Sequence, residues 1–250
     1  MDYKKIESDI KSAIRYGLSK TDSDIFQNIT DRIQTLYEAP TGNMNELKKK
    51  NTKSKGNTFE VFCKLYLIAL GFKEVYLLNE VPEELLKILG LTRRDVGIDL
   101  ICINIDNEYC AVQCKYRVAP LRRPNVLSWK SLSTFYALCS RCNFKKHIIM
   151  TNCLYTRKFG HKDTKDYSIC FKRFQNTSRS FWLKILGDVG NVLGSGEIKI
   201  DEMKIENFKD DDQKEIQNGE IKTEIQDIVK QEKLSNVEKL RELRLQYYLK

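Results

Sequence analysis

The chain contains two short apolar segments that are separated by only three residues. The segments are VGIDLICIN at 96–104 and EYCAVQCKY at 108–116, and Ile105, Asp106 and Asn107 lie between them. Segments of this length, rich in β-branched and aromatic residues and joined by a short polar turn, are typical of a β-hairpin. We therefore predict two antiparallel strands, which limits the chain to fold classes that contain a β-sheet.

Polar side chains interrupt this hairpin at three positions. In a strand, residues i and i+2 project to the same face, so Gln113 and Lys115 are expected to project together while Cys114 points into the core. With the turn centred near Asp106, Asp99 is expected to lie opposite Gln113, within side-chain reach. Burying a carboxylate, an amide and an ammonium in otherwise apolar strands is costly unless these groups serve a site.

The three polar groups suit a divalent cation next to a phosphate. Hard cations take oxygen ligands, which Asp99, Gln113 and the backbone carbonyl of Cys114 can supply. The ammonium of Lys115 can hold a water molecule or stabilise charge that develops on a phosphate. The pattern predicts a metal-dependent phosphodiester hydrolase. A surface hairpin with alternating polar residues in a Lys-rich chain gives the same pattern, and this alternative stays open on the residues alone.

The segments around the hairpin predict helices on both sides of a small sheet. The order of the central elements is helix, strand, hairpin, helix and strand, which indicates a mixed sheet flanked by helices. Two amphipathic helices and a polar linker at 40–56 precede them. The predicted elements are helices at 58–72, 127–141 and 180–189 and strands at 74–78, 147–151 and 168–174.

Charge separates the body of the chain from its tail. Lys and Arg total 43 against 34 Asp and Glu, a net charge of +9. Residues 201–250 contain 10 basic and 13 acidic residues, whereas residues 1–200 contain 33 and 21. A basic body favours a polyanionic partner. A lysine-rich surface that is merely well solvated is the alternative.

The eight cysteines and the charged N-terminus predict an intracellular protein. Cysteines inside apolar segments behave as small buried hydrophobes, and a chain of this size needs no disulfide framework. The longest apolar segment, 61–72, contains Lys64 and is shorter than the ~20 residues of a membrane span. We expect no membrane association and a reducing compartment, the cytoplasm or the nucleus. The cysteines stand at positions 63, 102, 110, 114, 139, 142, 153 and 170.

Other candidate sites carry less weight. Cys139 and Cys142 have the spacing of a zinc ligand pair, but the later Cys and His residues do not have the spacing of a second pair, so the end of a helix is the favoured explanation. His147 begins an apolar strand and is expected in the core or at an edge. Trp129, Phe135 and Tyr136 offer rings for base stacking, although their helical spacing favours core packing.

The hairpin and its neighbours resemble a known family. The stretch RDVGIDLICINIDNEYCAVQCKY is similar to the catalytic hairpin of the PD-(D/E)XK nuclease superfamily, in its Mrr-like restriction endonuclease branch. That branch has Gly-Ile-Asp on the first strand and Gln-Cys-Lys on the second, as stand here at 97–99 and 113–115. KGNTFEVFCKLYLIALGF looks like its opening helix, with Phe59-Glu60, and LSTFYALCSRCNFKKHIIMTN resembles the helix and strand that follow, up to Thr151. The resemblance covers residues 50–155 and is strongest to nuclease domains fused to restriction helicases.

The resemblance implies a restriction-endonuclease-like α/β core, a central mixed β-sheet flanked by helices. We expect a helical N-terminal extension at 1–50, the nuclease domain at 51–186 and a charged, mostly helical C-terminal extension at 187–250.

The resemblance also implies a role for each site residue. Asp99 would be the main ligand of Mg²⁺, for which Mn²⁺ substitutes, and Gln113 would replace the more usual Glu, a substitution that this branch itself makes. Lys115 would activate or orient the attacking water. Glu60 would be a further acidic group, on a second metal or holding Lys115, and Asp95 competes with Asp99.

The implied substrate is double-stranded DNA. Restriction of foreign DNA is the first interpretation, a repair or recombination nuclease such as a junction resolvase is the second, and a DNA-binding module without catalysis is the third. Arg117, Arg122 and Arg123 lie in a loop that is a candidate phosphate contact or simply an exposed basic loop. Because related nucleases pair to cut both strands, a homodimer is a further expectation.

Overall fold

The computed structural model describes residues 2–20, 24–35, 44–94, 97–118, 125–156 and 165–187, with the backbone alone at 44–50. The fold divides the chain into a unit of residues 1–196 and a unit of residues 197–250. All described residues belong to the first unit. The predicted C-terminal extension lies outside them beyond Gly187, and its predicted helices stay predictions.

Two amphipathic helices open the chain, as predicted. Helix α1 spans Tyr3–Leu18 and α2 spans Ile25–Gln34. Each begins after an aspartate whose side chain accepts a hydrogen bond from a backbone N–H of the first turn, which satisfies a donor that the helix itself cannot. Gly17 lets the two helices approach closely, since a Cβ there would lie 2.9 Å from Ile25 Cγ1.

Helix α3 is much longer than the sequence predicts. It spans Met44–Ala69, so the predicted linker is wrong over residues 44–56. The linker prediction rests on the Gly, Asn and Lys content of this segment, and its Lys and Asn residues are equally compatible with a solvated helix surface. The segment contains no proline, and the single Gly56 costs a helix interior only about 1 kcal/mol.

The central sheet is mixed and five-stranded, which confirms the predicted fold class. Its strands are β1 (Glu74–Leu77), β2 (Leu100–Ile103), β3 (Tyr109–Lys115), β5 (Lys146–Thr151) and β7 (Asp166–Ile169), in the order β1-β2-β3-β5-β7. The pairs β1–β2 and β2–β3 are antiparallel, and β3–β5 and β5–β7 are parallel. The predicted hairpin is therefore confirmed, with Asn107 at φ 60° in its turn.

Helices cover both faces of this sheet. Helices α4 (Glu83–Leu89) and α5 (Ser133–Cys139) pack on one face, in an apolar cluster that includes Ile101 and Ala111. Helix α3 lies on the other side with α1, α2, α6 (Phe171–Gln175) and α7 (Arg179–Leu186), where Phe26, Phe62 and Phe174 form contacting rings.

Two predicted elements differ from the structure. The helix predicted at 127–141 is divided into β4 (Val126–Leu127), a 3₁₀ turn at Trp129–Leu132 and α5, and β4 pairs with β6 (Tyr155–Thr156). The strand predicted at 168–174 ends at Ile169, and α6 follows. Short apolar segments do not separate strand from helix by periodicity, and the packing of Phe174 into the aromatic cluster favours the helix here.

No helix within the described ranges has the length and apolar character needed to cross a bilayer.

Candidate active site

A glycine with unusual geometry leads the chain into β2. Gly97 has φ 129°, and a Cβ at this position would lie 3.1 Å from the backbone nitrogen of Phe135 at the start of α5. Both the positive φ and the close approach exclude larger residues. Ile98 is then buried among the residues of α4 and α5, so the chain reaches Asp99 in a fixed direction.

The backbone of Asp99 is bonded to strands on both sides. Its N–H donates to the carbonyl of Val112 at 2.9 Å, and its carbonyl accepts from the N–H of Leu78 at 2.9 Å. The register pairs Leu100 with Val112, which places Asp99 opposite Gln113, the position that the sequence predicts. The sheet thus fixes the position of the Asp99 backbone independently of any contact that its side chain makes.

The carboxylate of Asp99 contacts the second strand of the hairpin. Oδ2 accepts a hydrogen bond from the backbone N–H of Cys114 at 2.7 Å. Burial raises the pKa of Asp99 above its usual value, although the Cys114 N–H, the Lys115 ammonium and the Gln113 side chain each act to lower it. Asp99, Gln113 and Lys115 are therefore close enough to interact.

Gln113 carries a buried oxygen without a partner. The side chain is 2% exposed, and no hydrogen bond to its Oε1 is found within the described ranges. A buried acceptor without a partner costs about 1–3 kcal/mol. Such a group in an otherwise satisfied sheet is typical of a position that binds a ligand.

Glu60 reaches this site from α3. Burial, with a smaller contribution from the Asp99 carboxylate, raises the pKa of Glu60 to about 7, and the Lys115 ammonium opposes this increase. Glu60 is therefore electrostatically coupled to both hairpin residues, which lie far from it in sequence. A carboxyl group with a pKa near neutrality can hold or release a proton under physiological conditions.

The side chain of Cys114 points into the core and contacts helix α3. Its thiol is buried, as the sequence predicts, and hydrogen-bonds with the thiol of Cys63 on α3. Burial raises the pKa of both thiols, so both are neutral. The proposed metal ligation by the carbonyl of Cys114 stays a prediction.

Arg117 follows the site along β3 and is held by three hydrogen bonds. Its backbone N–H donates to Asn152 Oδ1 at 2.8 Å, and its carbonyl accepts from Asn152 Nδ2 at 2.7 Å. Its guanidinium donates to Ser131 Oγ at 2.7 Å. Arg122, Arg123 and Asp95 lie outside the described residues.

Two positioning residues escaped the sequence analysis. Tyr116 donates from its hydroxyl to the carbonyl of Thr30 at 3.1 Å and so connects the end of β3 to α2. Asn152, directly after the end of β5, holds Arg117. Both contacts join residues more than 30 positions apart, and no local pattern indicates them. A third residue, Thr151, which the resemblance had singled out only as the end of a strand, donates from Oγ1 to the carbonyl of Lys115 at 2.7 Å.

The other candidate residues do not form a second site. Across the described ranges, no cluster of three or more His, Cys, Asp or Glu residues is placed to hold a metal. Cys139 ends α5, and His147 is buried with Nδ1 2.9 Å from Asp166 Oδ1, which agrees with a core position. Phe135 is fully buried, whereas Trp129 is 37% exposed and stacks on Tyr136.

The residues present fit a divalent cation. Two half-buried carboxyl groups with raised pKa values and one buried amide oxygen without a partner are all groups that a cation stabilises. Asp99 and Gln113 would hold it, and their oxygen atoms match the preference of Mg²⁺ and Mn²⁺.

The central segment of the chain matches the model of a known protein family. Residues 66–175 match the model of a family described as restriction endonuclease, which confirms the resemblance to Mrr-like enzymes. The match contains Asp99, Gln113 and Lys115 and begins after Glu60.

A solved structure is similar to part of this chain. The structure, the ATP-dependent Type ISP restriction-modification enzyme LlaBIII bound to DNA, is 18% identical with a TM-score of 0.35. The similarity covers 51% of this chain and 8% of that one. No curated protein matches the chain.

Proposed function

We propose that the restriction endonuclease domain at residues 66–175, completed by Glu60, hydrolyses phosphodiester bonds of double-stranded DNA with the help of Mg²⁺. The observation that carries the proposal is the buried, unpartnered Oε1 of Gln113 beside the carboxylate of Asp99. A metal ion bound there supplies positive charge to the phosphate oxygens and makes water a stronger acid.

Lys115 has the best position to act on the attacking water. It lies one residue beyond the Cys114 N–H that holds Asp99, and its ammonium interacts with both Asp99 and Glu60. An ammonium donates hydrogen bonds, so Lys115 orients water oxygen and stabilises negative charge that develops on the phosphate.

Glu60 is the proposed proton acceptor. With a pKa of about 7, its carboxylate is available near neutral pH and takes a proton from the attacking water. The water oxygen forms a bond to phosphorus, and the bond from phosphorus to the 3′ oxygen breaks. That oxygen takes a proton from solvent, and Glu60 returns the proton it accepted to solvent. The products are a 5′-phosphate and a 3′-hydroxyl.

The basic body of the chain supports DNA as the substrate. Phosphate contacts dominate the affinity of such proteins for DNA and make it sensitive to salt. Arg117 lies two residues beyond Lys115 and is oriented by Ser131, and we propose that it contacts a phosphate. Restriction of foreign DNA is the proposed biological role.

Two further expectations belong to the proposal. Cleavage of both strands requires two such sites, so we propose that two copies pair on the duplex. All eight cysteines are free thiols, which suits a reducing intracellular compartment.

The test is cleavage of supercoiled plasmid, methylated and unmethylated, with Mg²⁺, Mn²⁺ or EDTA. We expect nicking or linearisation that needs the metal and is lost in Asp99→Asn and Lys115→Ala. Asp106→Asn, in the turn at the opposite end of the hairpin, and Lys73→Ala, whose ammonium donates to Asn107 Oδ1 in that turn, are the matched controls and should cleave normally. Metal-dependent cleavage that survives both site substitutions contradicts the site. Binding without cleavage on every substrate indicates a non-catalytic DNA-binding module instead.

A further inference from the structure

Helix α3 continues well beyond the candidate site. It begins at Met44, 16 residues before Glu60, and at 1.5 Å per residue this part of the helix is about 24 Å long. That length equals about seven base pairs of duplex. Helix α3 therefore carries Glu60 and also extends beyond the site by a length that corresponds to most of one turn of duplex DNA.

One face of this part of α3 leads directly away from Glu60. Residues three, four and seven positions apart share a helix face, so Lys53 and Gly56 lie on the Glu60 face. Lys53 is exposed and stands about 10 Å from Glu60 along the axis. The face that packs towards α1 and α2 is a different one, since it presents Ser54 and Thr58 to a cavity of 180 Å³.

Neither the backbone conformation nor the packing among the described residues requires a glycine at position 56. Its φ is not positive, and a Cβ there would meet no heavy atom of the described residues within 4 Å. Gly17 is different, because a Cβ there would clash with Ile25. Glycine in a helix interior costs about 1 kcal/mol relative to alanine, so an open glycine suggests close approach by another molecule.

We infer that this face of α3, defined by Lys53 and Gly56, lies against the DNA backbone beside the scissile phosphate. Lys53 contacts a phosphate one or two nucleotides away, and Gly56 lets the sugar-phosphate chain approach the helix backbone. Charge complementarity supports duplex DNA as the occupant, since residues 48–58 contain five lysines and no acidic residue. The inference rests on the proposed nuclease function, which requires a duplex at Glu60.

The test measures binding separately from cleavage. Fluorescence anisotropy with a labelled duplex in EDTA, between about 50 and 200 mM salt, gives the affinity and its salt dependence. We expect Lys53→Gln to reduce the slope of log K against log salt by about 0.9, the value for one phosphate contact. Lys73→Gln makes the same charge change at the far end of the sheet and should keep the wild-type slope.

The role of Gly56 is tested by replacing it with larger residues. Gly56→Leu should fold, because leucine favours helices more than glycine does, and should bind DNA about tenfold more weakly by blocking the backbone. Gly56→Ala serves as the folding control and should raise the melting temperature. The inference is overturned if Lys53→Gln keeps the wild-type slope or Gly56→Leu keeps the wild-type affinity. If both variants behave as expected but the wild type cleaves no plasmid with Mg²⁺, the nuclease proposal fails and the binding face stands.

Discussion

The backbone N–H of Cys114 donates to Oδ2 of Asp99 at 2.7 Å, which ties the carboxylate of one strand to the strand that carries Gln113 and Lys115. This bond needs only an acceptor oxygen and not a charge. The structural role and the metal-binding role of Asp99 can therefore be separated by substitution.

We predict that Asp99→Asn keeps the fold and loses the metal. The asparagine oxygen can still accept from Cys114, and the substitution removes a buried charge whose pKa burial has raised, so the melting temperature in EDTA should not fall. Adding Mn²⁺ should raise the melting temperature of the wild type and not that of the variant, as measured by thermal unfolding. Asp106→Asn is the control and should keep the full metal response. An equal Mn²⁺ response in Asp99→Asn would show that the cation binds elsewhere.

We predict that Gly97→Ala damages both the fold and the site. The substitution adds a Cβ at φ 129° and within 3.1 Å of the Phe135 nitrogen, so strain of about 1–3 kcal/mol is expected. Urea unfolding should show this loss, and cleavage should fall because Asp99 follows two residues later. Gly71→Ala, which also has a positive φ but has no atom within 4 Å of the new Cβ among the described residues, should be less destabilised. Equal effects of the two substitutions would contradict the role of the Phe135 contact.

Glu60 makes stability dependent on pH. Its folded pKa of about 7 exceeds the ordinary value of 4.5, so the native protein binds the proton more tightly than the unfolded chain does. Stability from this group is therefore complete below pH 4.5 and decreases as the pH rises towards 7, by about 3 kcal/mol in total at 1.4 kcal/mol per unit.

The corresponding prediction is that Glu60→Gln removes most of this decrease. Unfolding free energies from urea titrations at pH 5 and pH 8, in EDTA, should differ less in Glu60→Gln than in the wild type. Glu84→Gln, an exposed position on α4, should leave the difference unchanged. A wild-type difference that persists in Glu60→Gln assigns the titration to another group.

The sequence predicts the hairpin and its polar pair because strand geometry is local. A three-residue turn and a period of two are sufficient to place Asp99 opposite Gln113, and the structure has this register. The Gly-Ile-Asp triplet also has a local explanation, since Gly97 supplies the backbone conformation and Ile98 the buried anchor.

The sequence does not predict the contacts that bring distant elements together. The sequence predicts a linker where α3 begins, because a solvated helix and a linker share their polar composition. The hydrogen bond from Tyr116 to Thr30 depends on how α2 packs against the end of β3, 86 residues away. The burial of Gln113 Oε1 likewise depends on all the elements that surround the hairpin. Local sequence patterns therefore do not predict that this oxygen is buried without a partner.

Because Oε1 of Gln113 has no partner among the described residues, we predict that Gln113→Met keeps or raises the stability of the protein and abolishes metal binding. Methionine has a similar size and no polar atom, so the substitution removes an unpartnered acceptor that costs about 1–3 kcal/mol, while it also removes the amide contact with Asp99. In EDTA, urea unfolding should show a stability equal to that of the wild type or about 1 kcal/mol higher. The increase in melting temperature on addition of Mn²⁺ should be lost, and Gln113→Glu should retain it. Gln27→Met gives the comparison, because Nε2 of Gln27 already donates to Asp31 at 2.8 Å and its removal should bring no gain. A Gln113→Met variant that is several kcal/mol less stable and still responds to Mn²⁺ would mean that this amide supports the fold and not the metal.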